Sequence, residues 1–209
     1  VGDSKQVFNR AAGPVSLERQ VLPFLASTGN VSRNVRELLR SFGGRTWDTL
    51  SAYPWYRSAD AALPRAADRE DVLDRCERLR RCLCDKASRF LWARFHVMDV
   101  EAYNREVAAA GNKSAALAAR VAGLIEELWA ACGDRPLFLT VDKQGGRDYY
   151  LDFLAGTFPF IRVDTLAESP DRSEYLVRDG DRYMRIVFQA RGDGHSLPTA
   201  LASMLSKYV

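Results

Sequence analysis

Two apolar segments of this chain each lead into an aspartate, and this pattern constrains the fold more than any other. Leu139-Thr140-Val141 ends on Asp142, and the segment from Tyr183 to Ala190 is followed by Gly192-Asp193-Gly194 and then by a helical pattern. Apolar runs of this length, bounded by turn residues, predict buried strands. Two aspartates delivered by separate strands to one sheet edge can hold a divalent cation, because hard cations such as Mg²⁺ take oxygen ligands. Asp142 and Asp193 are therefore the predicted metal ligands and catalytic residues.

Helical and strand patterns alternate along the chain. Residues 117–129 carry the clearest amphipathic helix, and Gly111-Asn112 is predicted to end the helix before it. Further strands are predicted at 90–97 and 160–164, and a hairpin is predicted to turn at Asp179-Gly180. This order predicts an α/β fold, in which a mixed sheet is flanked by helices. The aromatic-rich segment within about 27–88 predicts a mostly helical, ordered insertion in a single domain.

Four short segments, in the same order, resemble type 2 ribonucleases H (the ribonuclease HII family). Gly192-Asp193 with Ser196, followed by Ala202-Ser203-Met204 and Lys207, is similar to that family's Gly-Asp…Ala-Ala-Ser-Ile…Ala-Lys segment. Val141-Asp142 resembles its Val-Asp-Gly strand end, and Gly2-Asp3-Ser4-Lys5 its Asp-Ser-Lys turn. Met98-Asp99-Val100 with Asn104 resembles the start of one of its helices. The resemblance covers residues 1–25 and about 89–209.

This resemblance implies a ribonuclease H-like fold and a metal-dependent endonuclease that hydrolyses RNA phosphodiesters in RNA–DNA hybrid duplexes. It implies two Mg²⁺ or Mn²⁺ ions, about 3.5–4 Å apart, on either side of the scissile phosphate. Asp142 and Asp193 would be ligands. Recognition of RNA would rest on its 2′-hydroxyl group, which DNA lacks.

The chain also departs from the family pattern. The family's Gly-x-Asp-Glu-x-Gly motif supplies two of four active-site carboxylates, and this sequence contains no Asp-Glu dipeptide. The chain begins with a segment that follows that motif in the family. We therefore expect an internal piece of a longer protein, with half of the catalytic site in these residues.

Several polar residues near these motifs are predicted to contact nucleic acid. Gly145-Gly146 allows a close approach of backbone amides to a phosphate, and the neighbouring side chains can add charge or hydrogen bonds. His195 is a candidate proton shuttle, with a surface histidine as the alternative. Glu168 and Asp164 are possible replacement carboxylates. The predicted nucleic-acid-binding residues are Lys5, Lys143, Gln144, Arg147, Ser203 and Lys207.

Composition limits the class of protein only broadly. A formal net charge of +3 permits a nucleic-acid partner without requiring one. No apolar run approaches the length of a membrane span, so no membrane partner is expected. The four cysteines lack paired Cys-x-x-Cys spacing, which favours buried structural thiols over a zinc site. Reduced cysteines in turn predict a cytoplasmic protein.

Two other kinds of function fit the same sequence. One is a nucleic-acid-binding protein of the same fold that has lost catalysis, which the missing Asp-Glu motif favours. The other is a DNA-directed nuclease of the ribonuclease H-like superfamily, such as a junction resolvase or a transposase-like enzyme. A plain interaction protein would have no metal site.

Overall fold

A computed structural model describes residues 13–44, 46–57, 60–144 and 147–209. The chain divides into two compact units, which are described separately. The sheet unit comprises Glu101–Ala200, and the helical unit comprises residues 2–100 together with Leu201–Val209. The prediction of one domain with an insertion at 27–88 stays a prediction.

The described residues of the helical unit include α1 (Val15–Ser27), α2 (Val35–Phe42), α3 (Thr46–Leu50) and α4 (Arg69–Asp85). Polar caps position two of them: Asn34 Oδ1 accepts the Glu37 N–H at the start of α2, and Asp68 caps α4 in the same way. Apolar side chains of these helices form one core, which also includes Leu201, Met204 and Leu205. The core of this unit is therefore built from helical packing.

The sheet unit contains α5 (Val100–Ala110), α6 (Lys113–Cys132), β1 (Leu137–Asp142), α7 (Leu151–Thr157), β2 (Arg162–Glu168), β3 (Arg172–Asp179) and β4 (Arg182–Gln189). A short 3₁₀ turn, Gly192–Gly194, leads into α8 (Leu197–Tyr208), whose residues from Leu201 onward belong to the helical unit. Asn112, predicted only to end a helix, also starts the next one, since its Oδ1 accepts the Ala115 N–H.

The four strands lie in the order β1-β4-β3-β2, with β1 parallel to β4 and the other neighbours antiparallel. This confirms the predicted mixed sheet flanked by helices. The hairpin between β3 and β4 also forms as predicted, and Gly180 takes the positive φ of 60° that its turn requires.

One face of the sheet is buried in a core of its own. Tyr175, Val177, Met184, Ile186 and Phe188 have no exposed surface, and they pack with side chains of α6 and α7. Alternation along the strands places the residues between them on the opposite face. The two faces therefore differ in exposure.

The predicted strand at 90–97 is wrong. Residues 90–99 have no regular secondary structure, although the Phe95 N–H donates to the Phe42 carbonyl at 3.1 Å. Phe95 is buried, whereas Leu91 is 60% exposed, so the apolar residues do not share one buried face.

The cysteines only partly match the expectation of buried thiols. All four are free, but Cys82 and Cys84 are exposed. Cys76 is partly buried, and burial together with the charge of Glu77 raises the pKa of its thiol. Among the described residues, no helix combines the length and the apolar character needed to cross a membrane.

Candidate functional site

The carboxyl ends of β1 and β4 meet at one edge of the sheet because these two strands are parallel. Asp142 is the last residue of β1 and pairs in register with Gln189, the last residue of β4. The chain then continues from β4 through Arg191 into the turn that carries Asp193. In sheets of this kind, the edge at the carboxyl ends of parallel strands is where ligands commonly bind.

Asp142 is tied directly to the turn that holds Asp193. Its Oδ1 accepts the Gly192 N–H at 2.8 Å. A Cβ at Gly192 would lie 3.3 Å from Thr199 Cγ2 and 3.4 Å from Asp142 Cα, so the absence of a side chain lets the turn approach the strand end. The end of β1 is therefore in contact with the residue that precedes Asp193 in the turn.

Two further features fix this junction. Arg191 has a left-handed backbone conformation, with φ of 55°, which turns the chain sharply between β4 and the 3₁₀ turn. At the start of α8, the Thr199 hydroxyl donates to the Thr140 carbonyl at 3.1 Å. Helix α8 is therefore anchored to β1 beside the two aspartates.

Lys143 faces its own chain. Its ammonium group donates to the carbonyls of Ser169 and Pro170 at 2.6 and 2.9 Å, and it lies 3.6 Å from Asp148 Oδ1. Only 6% of its side chain is exposed. Its predicted contact with phosphate stays a prediction, and it would require the ammonium group to leave these partners.

Gln144 and Arg147 flank the diglycine, which lies outside the described residues. The Gln144 N–H donates to the Tyr150 hydroxyl at 2.9 Å. Its side-chain Oε1 is buried and has no hydrogen-bond partner among the described residues. The guanidinium of Arg147 lies over the rings of Tyr150 and Phe153. Stacking of this kind leaves the N–H groups at the rim of a guanidinium able to contact an anion.

Two buried tyrosines support the loop behind the sheet edge. The Tyr175 hydroxyl accepts the Tyr150 N–H at 2.8 Å and donates to Glu168. Burial, together with this contact to Glu168, raises the pKa of Tyr175 to about 12. Burial also raises the pKa of Tyr150. Both hydroxyl groups therefore stay neutral at ordinary pH and act as hydrogen-bonding supports.

The roles predicted for the remaining residues stay predictions. Lys5 lies outside the described residues, and Ser203 and Lys207 belong to the helical unit. His195 is exposed just after the 3₁₀ turn. Asp164 lies within β2, where Arg162 and Arg178 contact it, and Glu168 accepts the Tyr175 hydroxyl. Among the described residues, no contact links Asp164 or Glu168 to Asp142.

The oxygen donors at this edge fit a particular kind of metal site. No group of three or more His, Cys, Asp or Glu side chains that could hold a metal ion occurs in residues 13–44, 46–57, 60–144 and 147–209. Mg²⁺ is commonly held by one or two carboxylates, with water and substrate phosphate as the other ligands. Asp142 is exposed, and within the described part of the chain its Oδ2 has no hydrogen-bond partner. Asp142 therefore offers a carboxylate oxygen of the kind that such an ion takes as a ligand.

Comparisons with protein-family models, with curated proteins and with solved structures find no match to this chain. The geometry of the sheet edge consequently carries the functional argument.

Sequence reasoning missed three residues that build this site. Gly192 and Thr199 hold the turn and the helix against β1, and Tyr150 supports the loop after Asp142. The glycine in Gly192-Asp193 was visible as part of a motif, but its close approach to Asp142 depends on the parallel pairing of β1 and β4. No local pattern marks Thr199 or Tyr150.

Proposed function

We propose that this protein is a metal-dependent endonuclease that hydrolyses RNA phosphodiesters in RNA–DNA hybrids. The observation that carries the proposal is the hydrogen bond between the Gly192 N–H and Asp142 Oδ1. That bond places the aspartate at the end of β1 beside the turn containing Asp193. A pair of carboxylates at such an edge suits a hard cation that also binds phosphate.

In this proposal Asp142 and Asp193 would hold the ion. A bound Mg²⁺ or Mn²⁺ ion lowers the pKa of a coordinated water and stabilises negative charge on the phosphate. Gly192 fixes the orientation of Asp142, because its N–H occupies the other carboxylate oxygen. We also assign Arg147, whose guanidinium lies over the ring of Tyr150, as a ligand for a substrate phosphate.

The choice of RNA–DNA hybrid as substrate rests on the resemblance of four sequence segments to type 2 ribonucleases H. The test is cleavage of a DNA duplex with a single ribonucleotide, with Mn²⁺, with Mg²⁺ and with chelator. We expect cutting at the ribonucleotide only when a metal ion is present. Asp142→Asn and Asp193→Asn should each lower the rate by roughly 100-fold or more, since changes around metal ligands already cost 10–100-fold.

Asp181→Asn is the matched control. Asp181 is exposed in the hairpin turn at the opposite end of the sheet, so its removal changes the charge equally without touching the edge. Binding of Mn²⁺, followed by its electron paramagnetic resonance signal, should weaken in the Asp142 and Asp193 variants and not in the control. Cleavage that survives Asp142→Asn unchanged would contradict the proposal.

A second function is favoured by one observation. The described residues supply two carboxylates at this edge and no cluster of three or more metal-binding side chains. A protein of this fold that binds nucleic acid without cutting it would bind the hybrid duplex equally well with metal and with chelator. Cleavage of branched DNA in place of the hybrid would instead identify a DNA-directed nuclease.

A further inference from the structure

The face of the sheet opposite its core carries arginines and aromatic rings. Arg178 of β3 pairs in register with Tyr183 of β4 on one side and with Arg162 of β2 on the other. Phe138 of β1 contacts Tyr183 edge to face, with ring centroids 6.1 Å apart. We call this surface the arginine face, and its members are Phe138, Tyr183, Arg162, Arg172, Arg178 and Arg185.

This surface is open to solvent. Phe138 is 66% exposed, and the side chains of Arg162 and Arg178 are 75% and 56% exposed. A solvated second face of an antiparallel sheet is ordinary when its residues are polar. An exposed phenylalanine beside a tyrosine, among four arginines, is not explained by solvation alone.

Two shared carboxylates hold the four arginines in place. Glu174 contacts both Arg172 and Arg185, and Asp164 contacts both Arg162 and Arg178. The four arginines carry a charge of +4 and the two carboxylates −2, so these ion-paired side chains together have a net charge of +2. A guanidinium has five N–H donors in a rigid fork, so a carboxylate contact leaves donors able to bind phosphate.

We propose that the arginine face binds single-stranded nucleic acid. Bases stack on Phe138 and Tyr183, and the four arginines contact the phosphates. Charge and chemistry both favour this partner, because aromatic platforms within a positively charged surface are how proteins bind single strands without reading sequence. The surface does not depend on the proposed hydrolysis.

The position of Asp142 connects this surface to the candidate site. Phe138, Thr140 and Asp142 alternate along β1 and therefore share one face. The distance along the strand from Phe138 to Asp142 is about 13 Å. A strand held on the arginine face would thus lead to Asp142, a link that rests on the proposed function.

The test is binding of fluorescein-labelled oligo(dT) and oligo(U) to the protein in chelator, followed by fluorescence anisotropy. Phe138→Ala should weaken binding roughly tenfold, because loss of one stacked base costs ~1–3 kcal/mol. Arg178→Ala should lower the slope of log affinity against log salt by about 0.7, the amount expected for one phosphate contact to a single strand.

Matched controls are available in the same unit. Phe160 is 99% exposed and does not lie in a strand, so Phe160→Ala should leave the affinity unchanged. Arg105, paired with Glu101 on α5, provides the arginine control through Arg105→Ala. Unchanged thermal unfolding of each variant shows that folding is intact, as expected for exposed positions.

The outcomes separate this inference from the proposed function. If the protein does not bind single strands, or if Phe160→Ala and Phe138→Ala weaken binding equally, the proposed binding to the arginine face is wrong. Neither result bears on metal-dependent cleavage. Weaker binding of Phe138→Ala with no cleavage by the parent protein would support the surface and remove the proposed hydrolysis. Tighter binding of blunt duplex than of single strands would also contradict the proposed binding of single strands to the arginine face.

Discussion

Glu18, on α1, is a carboxylate with no exposed surface. It accepts the backbone N–H groups of Arg65, Ala66 and Ala67 at 2.5, 2.8 and 2.7 Å, and the Tyr208 hydroxyl at 2.9 Å. Burial and the charge of Glu18 raise the pKa of Tyr208, so this hydroxyl remains a donor. One side chain therefore holds together a helix, a loop and the end of α8 within the helical unit.

Replacing Glu18 by glutamine should destabilise the protein substantially. An amide NH₂ would then face backbone donors, and buried unpaired N–H groups cost ~1–3 kcal/mol, or more when a charge is lost. We expect the free energy of unfolding in urea to fall by about 2–4 kcal/mol. The control is Glu77→Gln on the exposed side of α4, which should change stability by less than about 1 kcal/mol. Equal effects of the two substitutions would rule out this role for Glu18.

At the scale of the strands, Glu174 of β3 links two arginines across the sheet. It is 6% exposed, with Arg172 on its own strand and Arg185 on β4. The hydrogen bond from Arg172, followed by the contacts with Arg185, lowers the pKa of Glu174 in spite of its burial. A carboxyl group with a lowered pKa in the folded state stabilises that state only while it is ionised.

The pH dependence of stability follows from this lowered pKa. The contribution of Glu174 should be complete above the pKa of an unfolded glutamate, about 4.3, and should be lost as the pH falls through the lower pKa of the folded state. The parent protein should therefore have a higher free energy of unfolding than Glu174→Gln at neutral pH. That difference should shrink as the pH falls from about 5 to about 2. Unfolding curves at stepped pH measure it, with Glu126→Gln on α6 as an exposed control. A difference that stays constant down to low pH would contradict the assigned ion pairs.

At the scale of the whole molecule, the described residues form two hydrophobic cores. Ile186 lies in the core of the sheet unit and Leu39 in the core of the helical unit, and both are almost fully buried. Large-to-small changes in a core cost ~2–5 kcal/mol because they remove contacts and leave a cavity. No residue belongs to both cores as described. A large-to-small substitution in one core should therefore destabilise a different part of the chain from a substitution in the other.

Hydrogen exchange followed by mass spectrometry tests this division. Ile186→Ala should increase exchange most in β1, β3 and β4, whereas Leu39→Ala should increase it most in α1 and α2. Each variant is the control for the other. Equal acceleration of exchange throughout the chain in both variants would show that the two cores unfold as one cooperative unit.

Sequence patterns were sufficient where structure depends on neighbouring residues. The hairpin follows from its turn residues and its alternating strands, and the buried strand ending at Asp142 follows from a short apolar run bounded by polar residues. The contact between Asp142 and the Gly192 N–H was not predictable from these patterns, because it depends on the parallel pairing of β1 with β4.

Tertiary structure decided the rest, because long-range partners are not encoded in a local pattern. Apolar and polar residues alternate along 91–97 as they do in a strand. A strand forms only where a neighbouring strand provides backbone hydrogen bonds. Here the Phe95 N–H instead donates to the Phe42 carbonyl at the end of α2. Lys143 has the charge of a phosphate ligand, but the turn between β2 and β3 supplies the carbonyls that hold it. Local patterns in the sequence were enough to predict the end of β1 at Asp142 and the hairpin of β3 with β4, but not the conformation of residues 90–97. The parallel pairing of β1 with β4 brought the Gly192 N–H to Asp142, which lies 50 residues earlier in the chain.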